Sequence, residues 1–167
     1  MIAAQTEHDA ALIRRLFPDT THIVCQGLRD LDDDIMTGFA EDLAEDFDSE
    51  IKERILEGLI VRYESYRPFK SAIKNLNLAT VANPSLASVT IQRLSDVSKT
   101  ILELSGDDTS GILGLIRVKG LAGVALSAQR EWFRDETSDM SSTIRVLDQR
   151  LNQAEEFAQT LNIIPRQ

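Results

Sequence analysis

Residues 106–133 read GDDTSGILGLIRVKGLAGVALSAQREWF, and this stretch decides the fold. Its first six residues, Gly106 to Gly111, combine two glycines, two aspartates and two hydroxyl side chains, which is typical of a turn. The rest carries only Arg117 and Lys119 as charged residues before Arg130, and its apolar residues are distributed over most sides of a helix. Because a helix that is apolar on most sides is usually buried on most sides, we predict a long internal helix here.

The middle of this predicted helix consists of small residues. Since glycine inside a helix costs about 1 kcal/mol relative to alanine, the close approach of another backbone or of a ligand should offset that cost. Two interpretations follow: a tightly packed core or dimer helix, or a helix that makes room for a long apolar ligand. The residues alone favour the first. The small residues are Gly120, Ala122, Gly123, Ala125, Ser127 and Ala128.

Composition and charge narrow the classes of partner and compartment. The formal net charge of -9 argues against a nucleic-acid partner, which requires a basic surface. The single cysteine, Cys25, excludes an intrachain disulfide and suits a reducing compartment. We estimate the apolar helix at about 15 residues, too short and too charged to span a bilayer, and the N-terminus shows no signal-peptide pattern. We therefore expect a cytoplasmic protein with at most peripheral membrane contact.

Apolar spacings of three and four residues recur along the chain, and no alternating strand pattern is present. We predict an all-α fold of about seven helices, each bounded by a capping residue, a proline or a glycine turn. The predicted helices are a short one before Pro18, a long acidic one from Asp19 to Phe47, one starting at Ser49, a short one after Pro68, one starting at Asn83, the central helix, and a last one from about Asp139 to Leu161.

Ten acidic residues crowd the polar side of the long acidic helix and the loop after it, between Asp30 and Glu50. They lack the pattern of an EF-hand, and no histidine lies at the spacing of a di-iron bundle. We interpret these acids as a solvent-exposed face, and His8 and His22 as surface or capping residues. The chain also lacks phosphate-binding, dinucleotide, zinc and catalytic-triad motifs, so we expect neither an enzyme nor a bound cofactor.

The last predicted helix has an apolar seam with alternating spacings of three and four, which is typical of paired helices. A helix packed within the chain would explain this seam, and so would a dimer. Because the preceding helix is apolar on several sides, we favour both helices meeting their copies in a twofold four-helix interface. The seam consists of Ile144, Leu147, Leu151, Ala154, Ala158 and Leu161.

Several short motifs follow one another in a characteristic order between Ala11 and Phe157. They are LFP at 16–18, IKERIL at 51–56, YRP at 66–68, GDDTS at 106–110, GLAGV at 120–124, Trp132 followed by acids, and LDQRL at 147–151. In order and spacing, this set resembles the lipid-binding accessory family of ubiquinone (coenzyme Q) biosynthesis, whose fold is that of TetR-type regulators.

The resemblance implies a homodimer through the last two helices and a pocket for an isoprenoid or other lipid among the helices before them. The protein would present lipid precursors to the di-iron hydroxylase of the pathway without catalysing a reaction. Residues 1–18 would be a remnant N-terminal helix, and residues 19–167 the helical lipid-binding and dimerisation domain. For the pocket we expect Ile55, Leu59, Val97, Ile101, Ile112 and Leu115; for the dimer interface, Gly123, Ser127, Trp132, Leu147, Leu151 and Ala154.

Two departures from the family pattern shape the alternatives. Only one helix fits before Pro18, whereas TetR-type chains begin with a three-helix DNA-binding unit, so we expect no DNA binding. The stretch from Gly111 to Ile116 also lacks the aromatic residues that contribute to hydroxylase contact in the family. The alternatives are a TetR-derived ligand-sensing regulator without its own DNA reader, and a structural dimer with a filled core.

Overall fold

The computed structural model describes residues 20–45 and 48–160, and every regular element in these ranges is helical. The all-α prediction is therefore confirmed. The helix predicted before Pro18 and the predicted end at Leu161 lie outside the described residues. The described helices are α1 (Thr20–Leu43), α2 (Ile51–Ser65), α3 (Lys70–Ala82), α4 (Pro84–Ser105), α5 (Gly111–Trp132) and α6 (Ser141–Thr160), with a 3-10 turn (Arg67–Phe69) between α2 and α3.

The ends of α4 follow the predicted capping residues. Asn83 precedes the helix, and its side-chain oxygen accepts a hydrogen bond from the Leu86 amide at 3.1 Å, with a proline in the first helical position. Gly106 ends the helix in a left-handed conformation with a φ of 91°. The Asp107 amide then donates to the Leu102 carbonyl at 2.9 Å, which satisfies one of the last free carbonyls of the helix.

Two helix boundaries differ from the prediction. Helix α1 ends at Leu43, whereas its apolar pattern was expected to continue to Phe47, which lies outside the described residues. Acidic side chains surround this end, and carboxylates are unfavourable next to the partial negative charge of a helix C-terminus. Helix α2 is preceded by Glu50 rather than Ser49, because the Glu50 amide donates to the Glu53 carboxylate at 3.2 Å across the first turn.

Helix α4 occupies the centre of the described structure and packs against α1, α2, α3 and α5, whereas α5 packs most extensively against α6. At the end of α5, Trp132 is almost completely buried and its ring lies 5.2 Å from that of Tyr63 on α2. The Tyr63 hydroxyl donates to the Ala125 carbonyl at 2.6 Å. These contacts connect α2 to α5 through the core.

The turn before α5 folds back onto the first turn of that helix. A Cβ atom added to Gly114 would lie only 2.0 Å from the carbonyl carbon of Thr109, so no larger residue fits at this position. The Ser110 amide donates to the Asp108 carboxylate at 2.8 Å, which fixes the turn itself. The predicted turn is therefore present, and it determines where α5 begins.

Helix α5 is longer than expected from the sequence. It has 22 residues, and by length and composition it qualifies as a candidate membrane span, which corrects the estimate of a helix too short and too charged. Of its most apolar window, 39% of residues are buried inside the described structure. Core helices of soluble proteins have the same length and composition, so this finding does not establish a span.

Candidate functional site

An apolar groove lies between α2, α5 and α6, with a volume of about 770 Å³. This volume is within the range of roughly 300–1,000 Å³ that is typical of small-molecule sites. Ile55 from α2, Leu121 and Val124 from α5, and Leu151 from α6 contribute to its lining. Each of these residues belongs to the apolar stripe of its own helix, so the groove forms where three such stripes converge without filling the space between them.

Large apolar side chains at this groove remain exposed to solvent. Leu115 and Phe157 are 55% and 64% exposed, and Ile51 and Ile116 are also exposed. Gly120 lies among them, and a Cβ added there would meet no described atom within 4 Å. Clustered exposed apolar surface of this kind marks ligand-binding grooves or interaction surfaces. The groove is therefore the candidate site.

The charged residues of the groove are unevenly paired. Lys52 forms an ion pair with Glu155 at 2.9 Å, and Arg117 forms one with Asp107 at 3.2 Å. Lys119 also lines the groove, and its ammonium donates to the hydroxyl of a serine on α4 at 2.8 Å. Among the described residues, three cations and two carboxylates thus surround an otherwise apolar space.

The structure brings two of the six predicted pocket residues together. Ile55 and Leu115 line the groove from facing helices. Leu59 and Ile101 instead lie inside the core, with 1% and 0% of their surface exposed, and they do not line the groove.

The remaining two predicted pocket residues lie elsewhere. Val97 lines a separate cavity between α1 and α4, and Ile112 is 79% exposed on the outer face of α5. The six residues therefore do not line one pocket. Helical periodicity identifies the apolar face of each helix, but it does not distinguish side chains that fill a core from those that border a cavity.

The predicted dimer-interface residues also fall into separate groups. Gly123 and Ser127 are exposed on α5. Trp132 and Leu147 are almost completely buried within the chain by its own helices, which leaves them no surface for a partner. Part of the α6 seam therefore packs against α5 of the same chain, as the intrachain alternative required. The other two residues, Leu151 and Ala154, line the groove.

A buried charged cluster joins α1, α2 and α4. Asp32 is 4% exposed, so it does not belong to the solvated acidic face that was predicted to include it. Its carboxylate accepts from Arg62 at 2.8 Å and from Arg93 at 2.5 Å, and the Tyr66 hydroxyl donates to it at 2.7 Å. Asp32 and Arg93 also line the cavity between α1 and α4, whose volume is about 720 Å³.

The pKa shifts of Arg62 and Tyr66 keep both of these side chains protonated. Burial opposes the charge on Arg62, but the nearby Asp32 carboxylate outweighs this effect and raises the pKa of the guanidinium above its usual value. Burial also raises the pKa of Tyr66, so its phenol stays protonated and acts as a hydrogen-bond donor. A charge that is buried and paired in this way needs every partner, because an unpaired ion would be strongly unfavourable in the interior.

A second buried carboxylate organises the loop before α6. Asp135 accepts hydrogen bonds from the amides of Thr137 at 3.1 Å and Thr143 at 2.8 Å, and from both of their hydroxyls. Burial opposes ionisation of this carboxylate, but the four hydrogen bonds outweigh it and hold the pKa of Asp135 well below its usual value. Asp135 thus fixes the chain at the N-terminus of α6.

Comparison with known proteins gives no assignment. No protein-family model matches the chain, and no curated protein is significantly similar to it. The resemblance described above therefore depends on the short sequence motifs alone. Within residues 20–45 and 48–160, no three histidine, cysteine or acidic side chains come together as metal ligands.

The sequence contained a signal for the buried carboxylate that the prediction did not use. Asp32 lies four residues after Leu28 and three before Ile35, on the same stripe of α1 as these two buried residues. Arg62 likewise lies on the buried stripe of its own helix, α2, three residues after the buried Leu59. A charged residue on a core stripe needs a partner of opposite charge, so the two stripes together indicate a buried ion pair.

Proposed function

We propose that this protein is a lipid-binding accessory protein whose groove between α2, α5 and α6 holds the hydrocarbon chain of an isoprenoid or related lipid. The observation that carries the proposal is the groove itself: a volume of about 770 Å³ with an apolar lining. A water-insoluble chain fits such a site, because each Å² of apolar surface removed from water contributes about 25 cal/mol.

The composition of α5 supports the same proposal. Gly120 leaves the groove open where a larger side chain would project into it, and a Cβ added there would find free space. Since glycine is unfavourable inside a helix by about 1 kcal/mol, its presence in an open groove is more easily explained by a guest molecule than by packing within the chain.

The motifs described above support a more specific proposal. In it, the lipid is a precursor in ubiquinone biosynthesis, the protein acts as a homodimer without catalysing a reaction, and its client is a hydroxylase of the pathway. Gly123 and Ser127 are exposed on α5 and are the predicted interface residues that such a dimer would use.

Filling the groove tests the proposed lipid binding. A Gly120→Phe variant places an aromatic ring in the groove, and we expect it to lose at least about 90% of the uptake of a prenyl alcohol such as farnesol, because the two occupy the same space. The measurement is the amount of farnesol retained by the purified protein after gel filtration.

The matched control is Gly38→Phe, the same substitution at an exposed glycine of α1. A Cβ added to Gly38 would meet no described atom within 4 Å, and Gly38 belongs neither to the groove nor to the predicted dimer interface. Farnesol uptake should therefore be unchanged in this variant. Equal uptake by Gly120→Phe and the unmodified protein would contradict the proposed location of the site.

A further inference from the structure

We propose that the groove selects lipids with an anionic head group, carboxylate or phosphate, and that the ammonium group of Lys119 binds this head group. The proposal rests on the lipid binding proposed above and adds the chemical class of the ligand. It is derived from the charges at the groove, which are not balanced.

One of the described cations that line the groove has no carboxylate as an ion-pair partner. Its charged lining residues are Lys52, Asp107, Arg117, Lys119 and Glu155, and two of the three cations are paired with the two carboxylates. Within residues 20–45 and 48–160, no carboxylate forms an ion pair with Lys119. The described lining of the groove therefore has a local charge of +1, in a chain whose formal net charge is -9.

The Lys119 ammonium is held near the groove by one hydrogen bond to α4. Its Nζ donates to the Ser95 hydroxyl oxygen at 2.8 Å, and the Ser95 hydroxyl in turn donates to the Ile91 carbonyl at 2.8 Å. Ser95 is buried, so it provides a fixed acceptor on α4. An ammonium group has three N–H donors, and the one bond to Ser95 leaves the others for a ligand.

An apolar space bordered by an unpaired cation matches an amphiphile that has one hydrocarbon chain and one negative charge. The chain would lie against the apolar side chains of the groove, and the head group would accept charge-assisted hydrogen bonds from Lys119. A neutral lipid of the same length would bury the same apolar surface but would leave the ammonium without an ionic partner. The difference in affinity between the anionic and the neutral lipid therefore measures the recognition of the head group.

Calorimetric titration with two matched pairs of ligands tests this proposal. One pair is palmitate and hexadecanol, and the other is farnesyl phosphate and farnesol, each kept below its aggregation concentration. We expect the unmodified protein to bind the anionic member of a pair about tenfold more tightly than the neutral one. One charge-assisted hydrogen bond at a partly exposed site accounts for a difference in affinity of this size. A stronger preference in one pair identifies carboxylate or phosphate as the natural head group.

Variants of Lys119 show whether this residue is responsible. In Lys119→Gln the preference should fall to less than about twofold with the affinity for the neutral ligands unchanged, and Lys119→Arg should restore most of it, because only the charge is needed. Lys74→Gln is the matched control. Lys74 is an exposed lysine on α3 outside the groove, so its variant should keep the full preference.

The outcomes separate the two proposals. Equal binding of anionic and neutral ligands by the unmodified protein, or a full preference in Lys119→Gln, overturns the head-group proposal while leaving lipid binding in place. If the unmodified protein binds none of the four ligands, the proposed lipid binding itself is overturned.

Discussion

At the scale of single residues, the Asp32 carboxylate forms ion pairs with two guanidinium groups that are buried between three helices. Arg62 and Arg93 both contact it, and both are less than a tenth exposed. The attraction within such a cluster is opposed by the cost of removing charges from water, so the complete cluster need not add much stability. Removing the central carboxylate is different, because it leaves two buried cations without an anion.

We predict that Asp32→Ala lowers the free energy of unfolding by about 3–5 kcal/mol, because removing one partner of a buried ion pair leaves the other charge uncompensated. Urea denaturation followed by circular dichroism measures this change. The control is Asp34→Ala on the exposed side of the same helix, which should change stability by less than about 0.5 kcal/mol. Equal effects of the two variants would mean that the cluster is not buried in solution.

Asp135 gives a prediction for pH dependence. Its pKa is lower in the folded protein than in the unfolded chain, where a value near 3.9 is expected, about that of an unperturbed Asp. The stabilisation is therefore fully present above the unfolded pKa and is lost as the pH falls from about 4 towards the folded value. Asp135→Asn should destabilise the protein by about 1–3 kcal/mol at neutral pH, because charge-assisted hydrogen bonds are lost.

Urea denaturation at pH 7 and at pH 3 tests this expectation. The difference between the unmodified protein and Asp135→Asn should be smaller at pH 3, where the unmodified protein has lost part of the same stabilisation. Asp42→Asn, an exposed carboxylate on α1, serves as the control and should show little difference at either pH. A difference for Asp135→Asn that does not change with pH would contradict the role of the ionised carboxylate.

At the scale of the helices, the glycines of α5 serve two different purposes. Gly114 is buried under the backbone of Thr109, whereas a Cβ added to Gly120 or Gly123 would meet no described atom beyond the neighbouring helix backbone within 4 Å. All three are glycines within one apolar helix, and the sequence analysis considered only Gly120 and Gly123 among its small residues. Only the folding of the 106–111 turn onto the helix, a tertiary contact, distinguishes Gly114 from the others.

We therefore predict opposite effects of the same substitution at two positions of α5. Gly114→Ala should destabilise the protein by about 1–3 kcal/mol or more, because the added methyl group collides with the turn. Gly120→Ala should stabilise it by up to about 1 kcal/mol, since alanine is the better helix former and the space is open. Thermal unfolding of both variants measures the two shifts, and destabilisation of similar size at both positions would contradict the assignment.

The helices themselves were largely predictable from the sequence because their ends depend on local chemistry. Asn83 and Gly106 act within one turn of their own positions, so periodicity and capping rules suffice to locate α4. The groove was not predictable in the same way. Ile55 and Leu59 lie one turn apart on the same apolar face of α2, yet Ile55 lines the groove and Leu59 fills the core. The distance between packed helices determines which apolar side chains border a cavity, and the sequence does not give this distance.

At the scale of the whole molecule, the described helices form one core and leave an apolar groove on one side. The chain buries its aromatic residues Tyr63 and Trp132 at the junction of α2 and α5, while Phe157 and Leu115 stay exposed at the groove. A strongly acidic chain that leaves this region apolar and exposed is expected to cover it with a ligand or a partner. We propose a lipid as that ligand.

Native mass spectrometry of the protein after gentle purification tests this central claim most directly, because it reports bound lipid and the number of chains together. We predict a complex heavier than its polypeptide chains by the mass of bound lipid, with this additional mass absent in Gly120→Phe and retained in Gly38→Phe. A protein that carries no lipid after purification, and takes up no added prenyl lipid, would contradict the account.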